Sequence, residues 1–216
     1  MISEKLSSYL NSDCYFARIK RDSTQEAYCK KLCRDIIEEI KNTTIEEFVK
    51  FGSENPDKII NSSNIPQISS IDNGTTGLLK ILMSLENYGV SFYDIGKSML
   101  GEGKKDGAYI KYGENHAKLA RELDLVYIES QDKSYVYLTI LGEQLLEYQA
   151  DEVKEIVAKL MLFIPIIKYL MKNDFLNQEQ IVREIENFLA ASTALRRASS
   201  VKAILKYISD TNSLNY

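Results

Sequence analysis

One alternating segment constrains the fold of this chain more than any other feature. Residues 127–139, with the sequence YIESQDKSYVYLT, have two flanks rich in Tyr, Val, Ile and Thr around a polar centre. This pattern is typical of two short strands joined by a turn. The segments before and after it repeat apolar residues at helical spacing. We therefore predict a mainly α fold that contains a small β-hairpin.

Three helices are predicted ahead of the hairpin, over residues 76–89, 91–101 and 114–126, and one helix follows it over 141–150. Residues 101–113, with the sequence GEGKKDGAYIKYG, are predicted to form a basic, glycine-rich loop that leads into the third helix. Three helices followed by a hairpin is the order of a winged helix. In this helix-turn-helix fold the third helix normally enters the DNA major groove.

A second unit repeats this order with a shorter end. Residues 151–173 provide one or two helices, kinked or broken at Pro165, and residues 176–189 and 192–208 provide two more. Only residues 209–216 remain for a hairpin. We therefore expect the second wing to be short or truncated, or the natural chain to continue beyond it.

The predicted organisation is a tandem winged-helix architecture behind a helical N-terminal extension. Residues 1–65 form the extension, 66–150 the first winged-helix domain, and 151–216 the second winged-helix-like domain. The boundary falls within residues 61–77, which are rich in Ser, Asn, Gly and Pro and are expected to form a linker. Residues 34–57 of the extension carry seven acids against three bases.

Positive charge is concentrated near the C-terminus of a chain whose formal net charge is −4. On a helix over residues 192–208, an apolar stripe that we expect to be buried consists of Ala194, Ala198, Val201, Leu205 and Ile208. The opposite face carries long cations and small polar residues: Arg196, Lys202, Lys206, Ser192, Ser199 and Ser200. Such a face suits close approach to a polyanion, and an ordinary solvated face is the alternative. Arg197 lies at the edge of the stripe, where an internal pair with Glu184 or Glu186 is a further alternative.

The first unit offers a more mixed set of polar residues. The polar side of its third helix carries Glu114, Asn115, Lys118, Arg121 and Glu122. Amide, cationic and carboxylate side chains can recognise base edges in the major groove. The loop before this helix holds Lys104, Lys105 and Lys111, which are expected to contact phosphate, and the wing tip holds Gln131 and Lys133. His116, the one histidine of the chain, falls on the apolar side and is expected at the edge of the core.

Two stretches resemble known DNA-recognition modules. Residues 101–146 resemble a winged-helix subdomain from the recognition portion of type IIS restriction endonucleases, with a Lys-rich glycine loop, a helix, a wing and a closing Leu-Thr-x-x-Gly helix. The stretch STALRRASSVKAILKYI is similar to a segment of winged-helix modules in type II restriction enzymes, where Ser-x-x-Thr-x-x-Arg-Arg leads into Thr-Val. Here Ser192 and Thr193 are adjacent, and Ile204 and Tyr207 stand where tryptophans are usual.

This resemblance implies a sequence-specific recognition module or subunit of a restriction-modification or related defence system. Its partners would be double-stranded DNA and a separate nuclease domain or subunit. The resemblance makes Ser192, Thr193, Arg196 and Arg197 candidate DNA contacts. The full set of predicted DNA-binding residues is Lys104, Lys105, Lys111, Asn115, Lys118, Arg121, Gln131, Lys133, Ser192, Thr193, Arg196, Arg197, Ser199 and Lys202.

No catalytic centre is predicted in this chain. Restriction nucleases usually hold Mg²⁺ with a Pro-Asp and a following Asp/Glu-x-Lys on adjacent strands. Pro56-Asp57 and Glu102-Gly-Lys104 are both present but fall in different units. Mg²⁺ is expected only if a nuclease domain is attached, and no other cofactor is predicted. A small self-contained nuclease is retained as an alternative.

Two further functions stay open. A dimeric winged-helix transcriptional regulator would be a homodimer on a palindromic site with half-sites about one helical turn apart. A protein-interaction winged helix would direct its basic face at an acidic partner, or at the acidic residues 34–57. The chain has neither an apolar run of about 18 residues nor a basic N-terminal region followed by an apolar stretch. We therefore expect no membrane partner and a cytoplasmic location.

Overall fold

A computed structural model describes residues 2–11, 23–54, 59–85, 89–130, 134–173 and 177–213. The N-terminal part forms α1 (Glu4–Asn11), α2 (Ser23–Asn42) and α3 (Ile45–Glu54). The middle part forms α4 (Thr76–Ser84), β1 (Val90–Ser91), α5 (Phe92–Leu100), α6 (Asp106–Glu122), β2 (Val126–Ser130), β3 (Ser134–Leu138) and α7 (Ile140–Leu145). The C-terminal part forms α8 (Ala150–Met161), α9 (Pro165–Lys172), α10 (Gln178–Glu186) and α11 (Ala191–Ser213). The prediction of a mainly helical chain with a small hairpin is confirmed.

The predicted hairpin consists of β2 and β3, which pair antiparallel with Tyr127 opposite Tyr137. A third strand, β1, pairs with the other side of β3, so the sheet order is β1-β3-β2. Strand β1 is only two residues long and was not predicted from the sequence. Its second residue, Ser91, also accepts a hydrogen bond from the backbone N–H of Asp94 and so begins α5 as an N-cap.

Helix α6 begins earlier than predicted, inside the segment that we expected to be a loop. Lys111 therefore lies on a helix and not in the loop. Two glycines explain the close crossing of α5 and α6, because a Cβ at Gly113 would lie 2.0 Å from the carbonyl oxygen of Phe92 and one at Gly96 would lie 2.0 Å from that of Tyr109. Gly113, which was predicted to lie in the loop, is therefore required for helix packing.

The segment 61–77, predicted to be a linker, is held against the folded chain. Ile65 is buried. Ser200 of α11 donates its hydroxyl to the Ile68 carbonyl and accepts from the Ile68 N–H, both at 2.9 Å. On the other side, the hydroxyl of Tyr112 in α6 accepts hydrogen bonds from Ser69 at 2.7 Å and from a neighbouring asparagine. We call residues 61–77 the connecting segment, because they are hydrogen-bonded to α6 on one side and to α11 on the other.

The N-terminal helices contribute to one continuous hydrophobic core. Ile36, Ile37 and Ile40 of α2 are buried, and α2 packs against α7 and α8. The ammonium group of Lys159 in α8 is buried and donates to the carbonyls of Ile40 and Lys41, at 3.0 and 2.8 Å, where α2 ends. The core thus extends across the predicted boundary at residue 65, while the division into domains stays a prediction.

The regular secondary structure described in the C-terminal part is all helical. Pro165 is the first residue of α9, so the predicted break between two helices is confirmed. Helix α11 continues to Ser213, through positions where a short second wing was expected, and the described residues after 150 contain no strand. Among the described residues, no helix combines the length and apolar character needed to cross a bilayer.

The buried stripe of α11 differs in one position from the prediction. Its fully buried apolar residues are Ala194, Ala198, Val201, Ile204 and Ile208. Ile204 replaces Leu205, which is half-buried. The long helix continues past the predicted end, and its inner face contacts α8, α9 and α10 together.

Candidate nucleic-acid interface

The outer face of α11 is exposed along its length. Ser192, Arg196, Ser199 and Lys202 are all exposed on it, and Lys206 continues the row. Neither Arg196 nor Lys202 forms an ion pair with a carboxylate of the described residues. The guanidinium of Arg196 makes only long hydrogen bonds of 3.4 Å within its own helix. These cations are therefore available to an external anion.

Small side chains give this face room for a bulky partner. Ser192, at the start of α11, and Ser199, two turns later, lie on the same strip, and Ala203 follows one turn further. Thr193, at the edge of the strip, is half-buried. A partner can therefore approach the helix backbone closely while the long cationic side chains reach around it.

Arg197 has a different environment from its neighbour Arg196. Its Nη1 donates to the carbonyls of Ser62 and Ile65, the latter at 2.8 Å, and its side chain is half-buried. Burial lowers the pKa of the Arg197 guanidinium, and repulsion from Arg196 acts in the same direction. Arg197 therefore binds the connecting segment 61–77, and the alternative of a pair with α10 is not observed among the described residues.

That pair would have involved Glu184 or Glu186, and the structure shows no ion pair between Arg197 and either of them among the described residues. Glu184 instead accepts a hydrogen bond from Tyr169 of α9 at 2.8 Å. Ser200 is also placed differently from the expectation: it is buried and bonded to Ile68, and does not belong to the exposed face.

Helix α6 carries cations that are compensated by its own carboxylates. Glu114 accepts hydrogen bonds from Lys111 at 2.9 Å and from Lys118 at 2.5 Å. Arg121 pairs with Glu122 at 3.0 Å. Burial raises the pKa of the Glu114 carboxyl, but the bonds from Lys118 and Lys111 outweigh burial and the pKa is lowered. The face of α6 therefore attracts a polyanion less strongly than the face of α11.

The structure brings part of the α6 set close to α11. Lys111, Asn115 and Lys118 line a small depression together with residues 62–67 and Arg197. Both predicted recognition helices therefore contact the connecting segment.

The remaining predicted residues lie elsewhere. Lys104 and Lys105 are exposed before α6, but the N–H of Lys104 donates to the Tyr109 hydroxyl at 2.9 Å, so this amide is not available to a phosphate. The Tyr109 hydroxyl in turn donates to the carbonyl of Gly101 at 2.8 Å. Gln131 and Lys133, at the predicted wing tip, lie outside the described residues.

Leu195 is an exposed residue of this face that the sequence analysis did not select. Its side chain is 59% exposed in the first two turns of α11. Helical spacing could have indicated it, because it lies three residues after Ser192 and four before Ser199.

The described residues contain no group of three or more His, Cys, Asp and Glu side chains that could hold a metal ion. Asp57 lies outside the described residues, and Glu102 pairs with Lys97 at 3.5 Å. His116 is buried, as predicted, and its Nδ1 lies 2.8 Å from the Tyr112 carbonyl oxygen. Burial lowers the pKa of this imidazole.

The acidic residues of the N-terminal extension that the structure describes make their ion pairs away from the face of α11. Lys41 pairs with Glu38 and with Glu152 of α8, at 3.3 and 2.7 Å, which directs this part of α2 towards α8. The carboxylates of α2 and α3 that the structure describes form no ion pair with Arg196 or Lys202. Covering of the basic face by residues 34–57 is therefore not observed in the described part of that segment.

The described residues define an α-rich protein with a small antiparallel sheet and a cationic face on α11, where Arg196 and Lys202 form no ion pair among them. No protein-family model matches the chain, and comparisons with curated proteins and with solved structures give no match either. The resemblance to restriction-enzyme recognition domains therefore stays a prediction from the sequence.

Proposed function

We propose that this chain binds double-stranded DNA through the outer face of α11. The observation that carries the proposal is the exposure of Arg196 and Lys202 without a carboxylate partner among the described residues, in a chain of net charge −4. A cationic face that persists in an acidic protein is suited to contact phosphates, which supply most of the affinity of DNA-binding proteins. Helix α10 precedes α11 with a four-residue connection, as in a helix-turn-helix.

The middle part of the chain supports a winged-helix assignment by the order of its elements. Helix α4, strand β1, helices α5 and α6, and the β2–β3 hairpin follow one another as in that fold. In this proposal α6 is the second DNA-contacting helix. Its contribution is smaller because Glu114 and Glu122 compensate three of its cations. Lys104 and Lys105 would contact the phosphate backbone beside it.

The finer assignment, a recognition module or subunit of a restriction-modification or related defence system, rests on the sequence resemblance. It requires a separate nuclease domain or subunit, to which any Mg²⁺ would belong. A footprint on an asymmetric site supports this assignment. A palindromic footprint with half-sites about one turn apart supports a homodimeric transcriptional regulator instead.

Fluorescence anisotropy with a labelled duplex, repeated over a range of salt concentrations, tests DNA binding directly. We expect tight binding at low salt that weakens steeply as salt rises. Arg196→Ala and Lys202→Ala should each weaken binding, and Lys202→Ala should also lower the slope of log K against log salt by about 1, the value for one lost phosphate contact. Lys31→Ala, an exposed cation on α2, is the matched control and should bind like the wild type. Absence of binding at low salt, or equal loss in the control, overturns the proposal.

A further inference from the structure

Leu195 is a large apolar side chain in the middle of a polar, cationic face. Ser192, Leu195, Arg196 and Ser199 are exposed near the start of α11, at positions i, i+3, i+4 and i+7. Single exposed leucines are common, so exposure alone indicates nothing. Its position is the informative feature, because the N-terminal residues of a recognition helix are the ones that contact base edges.

The chemistry of the major groove limits what Leu195 can contact favourably. A leucine cannot bind phosphate and cannot donate to or accept from a base. The apolar group that a base pair presents in the major groove is the methyl on C5 of a pyrimidine. Arg196, beside it, has the bidentate geometry that suits O6 and N7 of guanine. The two neighbouring serines are small enough to let this helix approach the bases.

We propose, on the basis of the DNA binding proposed above, that Leu195 is a specificity-determining residue that contacts a pyrimidine C5 methyl in the target site, next to a guanine contacted by Arg196. Thymine and 5-methylcytosine both carry this methyl. The substrate class is therefore duplex DNA with a C5-methylated pyrimidine at one fixed position.

The test begins with a target site selected from a random duplex library. Each thymine of the site is then replaced in turn by deoxyuridine, which lacks only the methyl. Burial of one methyl predicts that the wild type loses about fourfold in affinity at one position. Leu195→Ala should bind the thymine and deoxyuridine duplexes equally well. If the contacted methyl belongs to 5-methylcytosine, the wild type should bind a duplex with 5-methylcytosine at one position about fourfold more tightly than the same duplex with cytosine there, and Leu195→Ala should bind both equally well.

Two controls separate this contact from general effects. Met83→Ala removes another exposed apolar side chain, on α4 and outside the face of α11, and should keep the full effect of the methyl. Arg196→Ala should bind DNA more weakly but should also keep the full effect of the methyl. Because Leu195 is exposed, its substitution should not lower the unfolding temperature.

The outcomes distinguish the two proposals. If the protein binds DNA but no C5 methyl affects affinity, or if Leu195→Ala is as sensitive to the methyl as the wild type, the role of Leu195 is wrong and DNA binding stands. If the protein does not bind duplex DNA at low salt, the proposed function is wrong and the inference falls with it.

Discussion

Arg196 and Arg197 are adjacent in the sequence, but the structure gives them different partners, and paired substitutions test this difference. Arg197→Ala removes the hydrogen bonds from Nη1 to the Ser62 and Ile65 carbonyls. A hydrogen bond from a charged donor contributes about 1.5–3 kcal/mol net. Since Arg197 is only half-buried, and Ser62 is exposed to water that can replace its bond, we expect a total loss of about 2 kcal/mol in the free energy of unfolding.

This loss is large enough to measure by thermal unfolding. For a chain of 216 residues, 1 kcal/mol corresponds to a change of about 2–4 °C in the unfolding temperature, so Arg197→Ala should unfold about 4–8 °C lower. Hydrogen exchange should show where the effect lies. The N–H of Ile68, which is bonded to Ser200, should exchange faster because the connecting segment has lost its second attachment to α11.

Arg196→Ala is the matched control and should behave in the opposite way. Its long hydrogen bonds stay within one helix turn, so its loss should change the free energy of unfolding by less than about 0.5 kcal/mol while weakening DNA binding. Arg197→Lys keeps the charge but cannot reproduce the guanidinium contacts, so it should lose stability and retain most of the attraction to DNA. Equal unfolding temperatures for Arg197→Ala and the wild type, or equal DNA-binding losses for both alanine variants, would refute the assigned roles.

Three further changes test other parts of the structure. Gly113→Ala should lower the free energy of unfolding in urea by about 3 kcal/mol because its Cβ would lie 2.0 Å from the Phe92 carbonyl oxygen. A Cβ at Gly107 would meet no atom of another segment within 4 Å, so Gly107→Ala should be neutral or stabilising by up to about 1 kcal/mol. Lys159→Met should cost about 3 kcal/mol in the same assay, because it leaves the carbonyls at the end of α2 and a carboxylate without their donor. His116 should make stability fall as the pH drops below about 6.5: burial lowers the pKa of its imidazole, so the unfolded chain binds the proton first. His116→Phe should lack this dependence in unfolding curves between about pH 7 and pH 5, and an unchanged pH dependence would contradict the assignment.

The features predicted correctly from the sequence are those fixed by neighbouring residues. The hairpin follows from alternation within residues 127–138, and it forms with the predicted strands. The spacing of Thr44 and Glu47 matches a capping box, and each side chain accepts a hydrogen bond from the other's backbone N–H at 3.2 Å. The break at Pro165 follows from the missing N–H and the fixed φ of proline. All three depend on interactions over a few residues.

The features predicted wrongly depend on contacts between distant segments. Gly107 and Gly113 suggested a loop, because intrinsic propensity disfavours glycine in a helix interior. Close packing with α5 outweighs that preference at Gly113. Residues 61–77 have the composition of a linker, but Arg197 and Ser200, more than 130 residues away in the sequence, hold them in place. A composition pattern contains no information about such partners.

The two cationic helices show the same division between local and distant information. On α6, Glu114 lies three residues after Lys111 and four before Lys118, so the compensation of these charges could have been derived from helical spacing alone. On α11, the positions three and four residues from Arg196 are all Ser or Thr, and those around Lys202 carry no acid, so the same rule correctly leaves these cations unpaired. Arg197 passes this local test as well, yet backbone carbonyls from another segment bind it. Acid-free spacing therefore excludes pairing within the helix, and only the tertiary structure distinguishes a cation that is available to DNA from one that holds the fold together.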